Sequence, residues 1–161
     1  MIGKTSQMQL SDLINTDGIV PSLKVSSKKQ ALQELANLAG KITGLASRDV
    51  FETLLQREKL GSTGLGQGIA IPHGKLPGLE RLHGVFARLE NPINFDSMDD
   101  QQVDLIFLLL APETAGADHL KALARISRML RDGSVVAKLR GSDDRTALYA
   151  ILTEPAASHA A

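Results

Sequence analysis

One nine-residue segment constrains the fold of this chain more than any other. Val103–Ala111 reads VDLIFLLLA and is almost continuously apolar. A strand without alternation between apolar and polar residues is typical of a sheet centre that is covered on both faces. With 161 residues, the chain is long enough to bury such a strand in one core without disulfides. The segment therefore predicts a central strand with helices packed on both sides of it.

The neighbouring segments predict which strands pair with this one. Gly84–Glu90 alternates apolar and polar residues, which is typical of a half-buried strand. The loop between Leu89 and Val103 is too short for a helical crossover, so the two strands that it joins are expected to be antiparallel. Ile19–Val25 predicts a further strand, and Pro21 within it favours a position at the sheet edge.

Helical periodicity covers much of the remaining chain. Helices are expected to begin after the N-cap residues Ser27, Ser47, Ser134 and Ser142, and at Asp118. For the helix that begins at Asp118, the spacing predicts a buried stripe made of Leu120, Leu123, Ala124, Ser127 and Leu130. Helices that alternate with strands predict an α/β protein, a three-layer α/β/α sandwich with a mixed β-sheet. We expect one domain over residues 1–154 and a flexible C-terminal tail over residues 155–161.

Composition argues against several classes of function. Lys and Arg together number 18 and Asp and Glu also number 18, whereas a nucleic-acid-binding protein needs an excess of cations. The chain has no cysteine, so a disulfide scaffold and a cysteine-type zinc site are excluded. No apolar run is long enough to cross a bilayer. We expect a cytoplasmic protein that neither binds nucleic acid nor inserts into a membrane.

The densest cluster of glycines surrounds a histidine. Gly61–Gly74 reads GSTGLGQGIAIPHG and holds five of the chain's fourteen glycines. Its spacing does not fit a Walker A loop, a dinucleotide fingerprint or a nucleophile elbow. No pair of histidines has the i, i+4 spacing of a zinc site, so no metal is expected. The glycine-rich segment must therefore be interpreted from its own chemistry.

That chemistry favours an anion site beside a nucleophile. His73 follows the short apolar strand Ile69–Ile71 and Pro72, which should hold its ring rigidly and leave it accessible. Exposed N–H groups of a glycine-rich turn can bind an anion, and a neutral imidazole can attack phosphorus. A carbonyl that accepts the other ring N–H would fix the tautomer. The residues expected to bind the phosphoryl group are Ser62, Thr63, Gly64, Gly74 and Lys75. One alternative is that His73 is a loop histidine in a tight turn and has no function. A second alternative is that the segment belongs to an anion-binding module that never carries phosphate covalently.

The segment from Glu58 to Lys75 carries a resemblance to a known family. It reads EKLGSTGLGQGIAIPHGK and resembles the signature of the type-2 IIA domains of the bacterial phosphotransferase system. The run Arg57–Gly64 is more similar to the nitrogen-regulatory branch than to the IIA domains of the fructose and mannitol permeases. Weaker similarity runs from Leu10 to about Leu152.

The resemblance implies a phosphocarrier with a phosphohistidine intermediate, and hence a phosphotransferase. His73 would accept the phosphoryl group from a histidine phosphocarrier of the HPr/NPr type, which a PEP-dependent enzyme I charges. His119 would be the second active-centre histidine and Arg57 the basic residue of the site. No cofactor is expected. Regulatory targets in potassium uptake or nitrogen signalling are implied, and the alternative is a sugar-uptake IIA component that passes phosphate to a IIB domain.

The predicted position of His119 is consistent with that role. His119 lies in the first turn of a predicted helix, where the positive end of the dipole disfavours imidazolium. It lies at the flank of the predicted stripe, so it should be partly exposed. A neutral ring there could donate a hydrogen bond to phosphoryl oxygens. The alternative for His119 is that it is an ordinary polar residue near the start of a helix. The alternative for Arg57 is that it is a cation that stabilises the C-terminal end of its helix.

Overall fold

The computed structural model describes residues 8–154, and the expected tail over residues 155–161 lies outside them. Two 3-10 turns, Leu10–Asp12 and Thr16–Gly18, precede the sheet. The strands are β1 (Ile19–Leu23), β2 (Gly64–Gly66), β3 (Ile69–Ala70), β4 (His73–Leu76), β5 (His83–Ile93) and β6 (Val103–Pro112). The helices are α1 (Lys28–Thr43), α2 (Ser47–Lys59), α3 (Ala117–Arg131), α4 (Gly133–Arg140) and α5 (Arg145–Leu152). None of these helices is long and apolar enough to cross a membrane.

The six strands form one mixed sheet: five follow the order β1-β5-β6-β3-β2, and β4 pairs with β6. β5 and β6 are antiparallel, as the short loop between them predicts, and β1 pairs in parallel with β5 at the sheet edge. β3 and β4 both pair in parallel with β6, and only Ile71 and Pro72 separate them. The predicted mixed sheet and the edge position of Pro21 are confirmed.

β6 divides the interior into two apolar layers. Leu105, Phe107 and Leu109 pack with the apolar faces of α3, α4 and α5. The alternate residues Ile106, Leu108 and Leu110 pack with α1 and α2 on the opposite face. All six side chains are at most 1% exposed. The three-layer α/β/α sandwich, with a central strand covered on both faces, is therefore confirmed.

The starts of three helices differ from the prediction. Ser27 caps α1 as predicted, since its Oγ accepts a hydrogen bond from Gln30 N at 3.1 Å. Ser47, Ser134 and Ser142 are not the caps: the N-cap residues are Ala46 for α2, Asp132 for α4 and Asp144 for α5. Ser and Asp have nearly equal capping preferences, so a cap chosen by residue type alone is ambiguous where both occur within three positions.

The face of α3 that packs against the sheet is also different. Its buried residues are His119, Ala122, Ile126, Met129 and Leu130, so of the predicted stripe only Leu130 is buried. Leu120 is 67% exposed. The buried face is shifted by about one residue from the predicted one, because Ala122 and Ile126, rather than Leu123 and Ser127, fill the layer above β6. The prediction for this stripe was wrong, and the partly exposed His119 that it implied is wrong too: His119 is only 9% exposed.

Candidate functional site

His73 is held at the start of β4 by backbone on both sides. It pairs with Leu109 of β6, and paired residues point to the same face of a sheet, here the face covered by α3. Its ring Nδ1 lies 2.8 Å from the carbonyl oxygen of Ile71. Since a carbonyl can only accept, Nδ1 carries the proton and donates to it. The neutral ring is therefore in the Nδ1–H tautomer, and the lone pair is on Nε2.

Arg57 lies beside that lone pair. It occupies the last turn of α2, and its Nε donates a hydrogen bond to His73 Nε2 at 3.3 Å. Its Nη1 donates to the carbonyl oxygen of Gly61 at 2.9 Å, which anchors the guanidinium to the turn that follows the helix. The resemblance singled out Arg57 and His73 together, and the structure brings them into contact.

His119 reaches the same place from α3. Its ring centroid lies 5.6 Å from that of His73, with the two planes inclined at 56°. His119 Nε2 is buried and has no hydrogen-bond partner among residues 8–154. A buried polar atom without a partner is unfavourable, by about 1–3 kcal/mol. The site therefore contains a nitrogen whose hydrogen-bonding capacity is unused.

Burial keeps both imidazoles neutral near pH 7. It is the main cause that lowers the pKa of His73; the Arg57 charge adds to it, while the bond to Ile71 and the Glu58 charge oppose it. Burial also lowers the pKa of His119, and the neighbouring His73 and Lys75 lower it further. Both rings thus have pKa values below the ordinary 6.5. A neutral His73 is the form that can act as a nucleophile.

The residues predicted to bind phosphate fall into two groups. Gly74 and Lys75 follow His73 in β4, and Lys75 is near enough to His119 to affect its pKa. The donors of the other group have partners already: Ser62 Oγ donates to Phe95 O at 2.7 Å, and Thr63 donates both its N–H, at 3.0 Å, and its hydroxyl to Glu58. Gly64 N donates to Ser62 Oγ at 3.0 Å. Phosphate binding by these residues stays a prediction.

Sequence reasoning did not assign a role to two features of the site. Glu58 is 7% exposed and forms an ion pair with Lys28 at 2.9 Å. Its place in the quoted motif was the available signal, but nothing in the sequence showed that its carboxylate is buried. The exposed apolar side chains next to the site were also missed: Leu60 is 84% exposed and Leu120 is 67% exposed.

Comparisons with known proteins agree with this fold. The family described as "Phosphoenolpyruvate-dependent sugar phosphotransferase system, EIIA 2" matches residues 12–154. The chain belongs to this family of IIA phosphotransferase proteins. Within it, the chain is similar to nitrogen regulatory proteins over almost its whole length. It is 62% identical to the one from Bradyrhizobium diazoefficiens over 153 residues, covering 95% of this chain and 100% of that protein. The identity to the Escherichia coli protein is 42% over 155 residues, covering 96% and 95% of the two chains.

Solved structures show the same architecture. The nitrogen regulatory protein IIA-Ntr from Neisseria meningitidis is 40% identical and superposes with a TM-score of 0.85, covering 89% of this chain and 99% of that one. The mannitol IIA protein from Escherichia coli, at 23% identity, has a TM-score of 0.73 over 86% of this chain and 97% of that one. The second likeness concerns the fold alone.

Proposed function

We propose that this protein is a nitrogen-regulatory IIA phosphocarrier that accepts a phosphoryl group on His73 Nε2. The donor is a phosphorylated histidine carrier of the HPr/NPr type, and the phosphorylation state selects the regulatory partner. The observation that carries the proposal is the bond from His73 Nδ1 to Ile71 O, which leaves the Nε2 lone pair beside Arg57 Nε, with the centroid of the His119 ring 5.6 Å from that of His73. We place this activity in the cytoplasm, where a carrier charged from PEP would meet the protein.

The transfer step follows from these contacts. The Nε2 lone pair attacks the phosphorus, the N–P bond of the carrier breaks, and its electron pair returns to the carrier's imidazole. The proton on Nδ1 stays on the ring, bonded to Ile71 O. Arg57 has to release Nε2 and turn its Nε–H towards the phosphoryl oxygens, while its Nη1 stays bonded to Gly61. Phosphoryl transfer depends mainly on positioning and charge stabilisation, which these groups supply.

His119 and Lys75 complete the electrostatics of this step. The unpartnered Nε2 of His119 would donate a hydrogen bond to a phosphoryl oxygen, because the neutral ring can carry its proton there. Lys75 adds a positive charge on the same side of the site. Gly74 keeps β4 close to α2, since a Cβ at this position would lie 2.7 Å from Thr53 Cγ2. Ser62, Thr63 and Gly64 could reach the phosphoryl group only by leaving their present partners.

Docking of a carrier is supported by the exposed apolar residues at the rim. Leu60 precedes Gly61, which anchors Arg57, and Leu120 follows His119. A contiguous exposed apolar patch is typical of a protein-binding surface, and Leu60 and Leu120 would be the apolar part of one here. A phosphoryl group on His73 would bring roughly −1.5 to −2 charges to this surface. The added charge would weaken the complex with a partner that binds the unphosphorylated form and would permit a complex with a partner that binds the phosphorylated form. The relatives' name, nitrogen regulatory protein, supports targets in nitrogen signalling. Targets in potassium uptake are implied by the family resemblance alone.

A second candidate function is that of a sugar-uptake IIA component. It is supported by a 35% identical relative, the fructose-specific EIIA component of Haloferax volcanii, which matches 80% of this chain. The nitrogen regulatory relatives match more residues at higher identity. Transfer of label from the phosphorylated protein to IIB domains and on to sugar would support this second function instead.

Labelled PEP, enzyme I and an HPr/NPr-type carrier test the main proposal. We expect acid-labile, alkali-stable label in the wild type and none in His73→Ala. His83→Ala is the matched control, because His83 also lies at the start of a strand and burial also lowers its pKa. It should take up label like the wild type. Absence of label in the wild type, or unchanged label in His73→Ala, would refute the assignment and favour an anion-binding module.

A further inference from the structure

We propose that Glu58, together with Lys28 and Thr63, positions both His73 and Arg57 for phosphoryl transfer. These three residues are called the Glu58 cluster below. The inference rests on the proposed function, because it concerns the geometry of the same nucleophile. It assigns no contact with the phosphoryl group to the cluster: Glu58 is a positioning residue that acts through backbone groups.

The cluster is centred on a buried carboxylate whose contacts reach two separate segments, the start of α1 and the turn after α2. The Glu58 side chain is only 3% exposed. Oε1 accepts from Thr63 N at 3.0 Å and pairs with Lys28 Nζ at 2.9 Å, while Oε2 accepts from the Thr63 hydroxyl. A buried charge is tolerated only when it is paired and hydrogen-bonded, and losing one partner is strongly unfavourable. Thr63 is therefore fixed firmly to the end of α2.

Lys28 is itself fixed, so the carboxylate has a rigid partner. It is the first residue of α1. Its Nζ lies 4.8 Å from the centroid of the Phe95 ring and 3.6 Å from the carboxylate of Asp96. The carbonyl of Phe95 in turn accepts from Ser62 Oγ. The turn after α2 is thus tied to α1 and to the loop after β5, neither of which contains a residue of the transfer step.

A continuous chain of hydrogen bonds leads from Glu58 to His73. Thr63, held by Glu58 through both of its donors, accepts Ile71 N at its carbonyl oxygen at 3.1 Å. The carbonyl of Ile71 then accepts His73 Nδ1–H at 2.8 Å. That last bond sets the tautomer and the ring orientation. A shift of Thr63 would accordingly move the acceptor that keeps the lone pair on Nε2.

A second chain leads from the same residue to Arg57. The backbone carbonyl of Glu58 accepts Gly61 N at 3.1 Å, and the carbonyl of Gly61 accepts Arg57 Nη1 at 2.9 Å. Glu58 thus fixes the turn from both its main chain and its side chain. Both partners of the 3.3 Å contact between Arg57 Nε and His73 Nε2 are therefore positioned through hydrogen bonds that begin at Glu58. A cluster that only stabilised the fold would not need hydrogen-bonded connections to both Arg57 and His73.

Thr63 offers a test that spares the buried charge. Thr63→Val removes only the hydroxyl donor, and Thr63→Ser retains it. Glu52→Gln is the control on the same helix, since Glu52 is 58% exposed and pairs with the exposed Arg48. We expect Thr63→Val to lower the single-turnover rate at saturating carrier by about ten- to a hundredfold, because a displacement of about 1 Å at the reacting groups can cost about a hundredfold. The concentration of carrier that gives half the maximal rate should stay unchanged, and Thr63→Ser should recover most of the rate.

A second readout separates positioning from plain stability and from direct phosphate binding. Nitrogen NMR of the unphosphorylated protein reports which ring nitrogen of His73 carries the proton. In Thr63→Val, the Nδ1–H form should lose population to the Nε2–H form, while Glu52→Gln leaves it unchanged. Glu58→Gln should behave like Thr63→Val if it folds; if it does not fold, the Thr63 pair decides the question.

Two results would overturn the inference. One is a folded Thr63→Val variant that transfers at the wild-type rate. The other is a slowed variant whose His73 tautomer is unchanged, which would mean that Thr63 binds phosphate directly. Failure of the proposed function looks different, because the wild type itself would then carry no label on His73.

Discussion

Arg57 Nε donates its hydrogen to His73 Nε2, the ring nitrogen that carries the lone pair, across 3.3 Å. The contact has two consequences. It places a permanent positive charge beside the His73 ring, and it occupies the lone pair that would attack phosphorus in the proposed transfer. Arg57 is therefore expected to hydrogen-bond the His73 lone pair in the free protein and to stabilise the phosphoryl group once it is on His73.

Arg57→Gln should raise the pKa of His73 and slow its phosphorylation. The pKa rises because the guanidinium charge is one of the causes that lower it, after burial. The rate should fall by about a hundredfold, the usual effect of losing one donor to a developing charge. NMR titration of the His73 ring and single-turnover labelling measure the two effects.

The control for this prediction is Arg48→Gln, which removes an exposed charge from the same helix. It should change neither the pKa of His73 nor the rate. An unchanged or lower pKa of His73 in Arg57→Gln would show that the contact has no electrostatic effect on the ring.

The free energy of unfolding should decrease as the pH falls below about 6.5. Burial lowers the pKa values of His73, His83 and His119 in the folded state. Between these lowered values and 6.5, the unfolded chain binds more protons than the folded one, so acid favours unfolding. The stability is fully present above 6.5 and is lost as the pH falls through the folded-state values. Urea unfolding at about pH 7.5 and about pH 5.5 measures the difference.

The contribution of each ring can be isolated. His119→Gln should make the dependence on pH less steep, because one of the three groups is removed. A stability that stayed constant or rose over this interval would contradict the lowered pKa values. Carboxylates ordinarily titrate at lower pH than this interval, so they contribute little to it.

Much of the fold could be predicted because it depends on local patterns. The almost continuously apolar run of β6 and the short loop before it defined the centre of the sheet and one antiparallel pair. The face of α3 could not be predicted in this way, since its apolar residues fit two faces and tertiary packing selects the one that buries His119 and Ile126. The predicted N-caps of α4 and α5 were wrong for a related reason: neighbouring Ser and Asp residues have similar preferences for the N-cap position.

The site was predictable only in part, again for physical reasons. The glycine-rich motif identified His73, but Arg57 and His119 lie on two other elements and are brought to it by the order of strands in the sheet. Resemblance to a family supplied that pairing, whereas periodicity could not. The partner of Ser62 is the carbonyl of Phe95, which lies 33 residues away, and no local rule predicts such a bond.

Gly74→Ala should destabilise the protein, and Thr53→Ser should relieve the effect. The new Cβ would lie 2.7 Å from Thr53 Cγ2, which is closer than packed carbon atoms allow. Thr53 can rotate only partly within a helix, so we expect a loss of about 1 kcal/mol, at the low end for overpacking. Serine lacks the Cγ2 methyl group, so the double variant should regain most of this loss.

Urea unfolding of the two single variants and the double variant forms the cycle that measures this coupling. Additive losses in the double variant would show that the glycine is required for another reason, such as approach of a ligand. The labelling rate of the double variant then distinguishes the two reasons, because relief of the clash alone should restore it.

His119→Leu should separate stability from function. The buried Nε2 of His119 has no partner among residues 8–154, so replacing the ring with an apolar side chain of similar size removes an unsatisfied polar atom. We expect the free energy of unfolding at about pH 7.5 to stay the same or to rise by about 1 kcal/mol. Phosphorylation of His73 should nevertheless slow, because the hydrogen bond that His119 would donate exists only when phosphoryl oxygens are present. His83→Leu is the matched control and should leave the rate unchanged. A large loss of stability in His119→Leu would mean that the nitrogen has a structural partner, and an unchanged rate would remove His119 from the site.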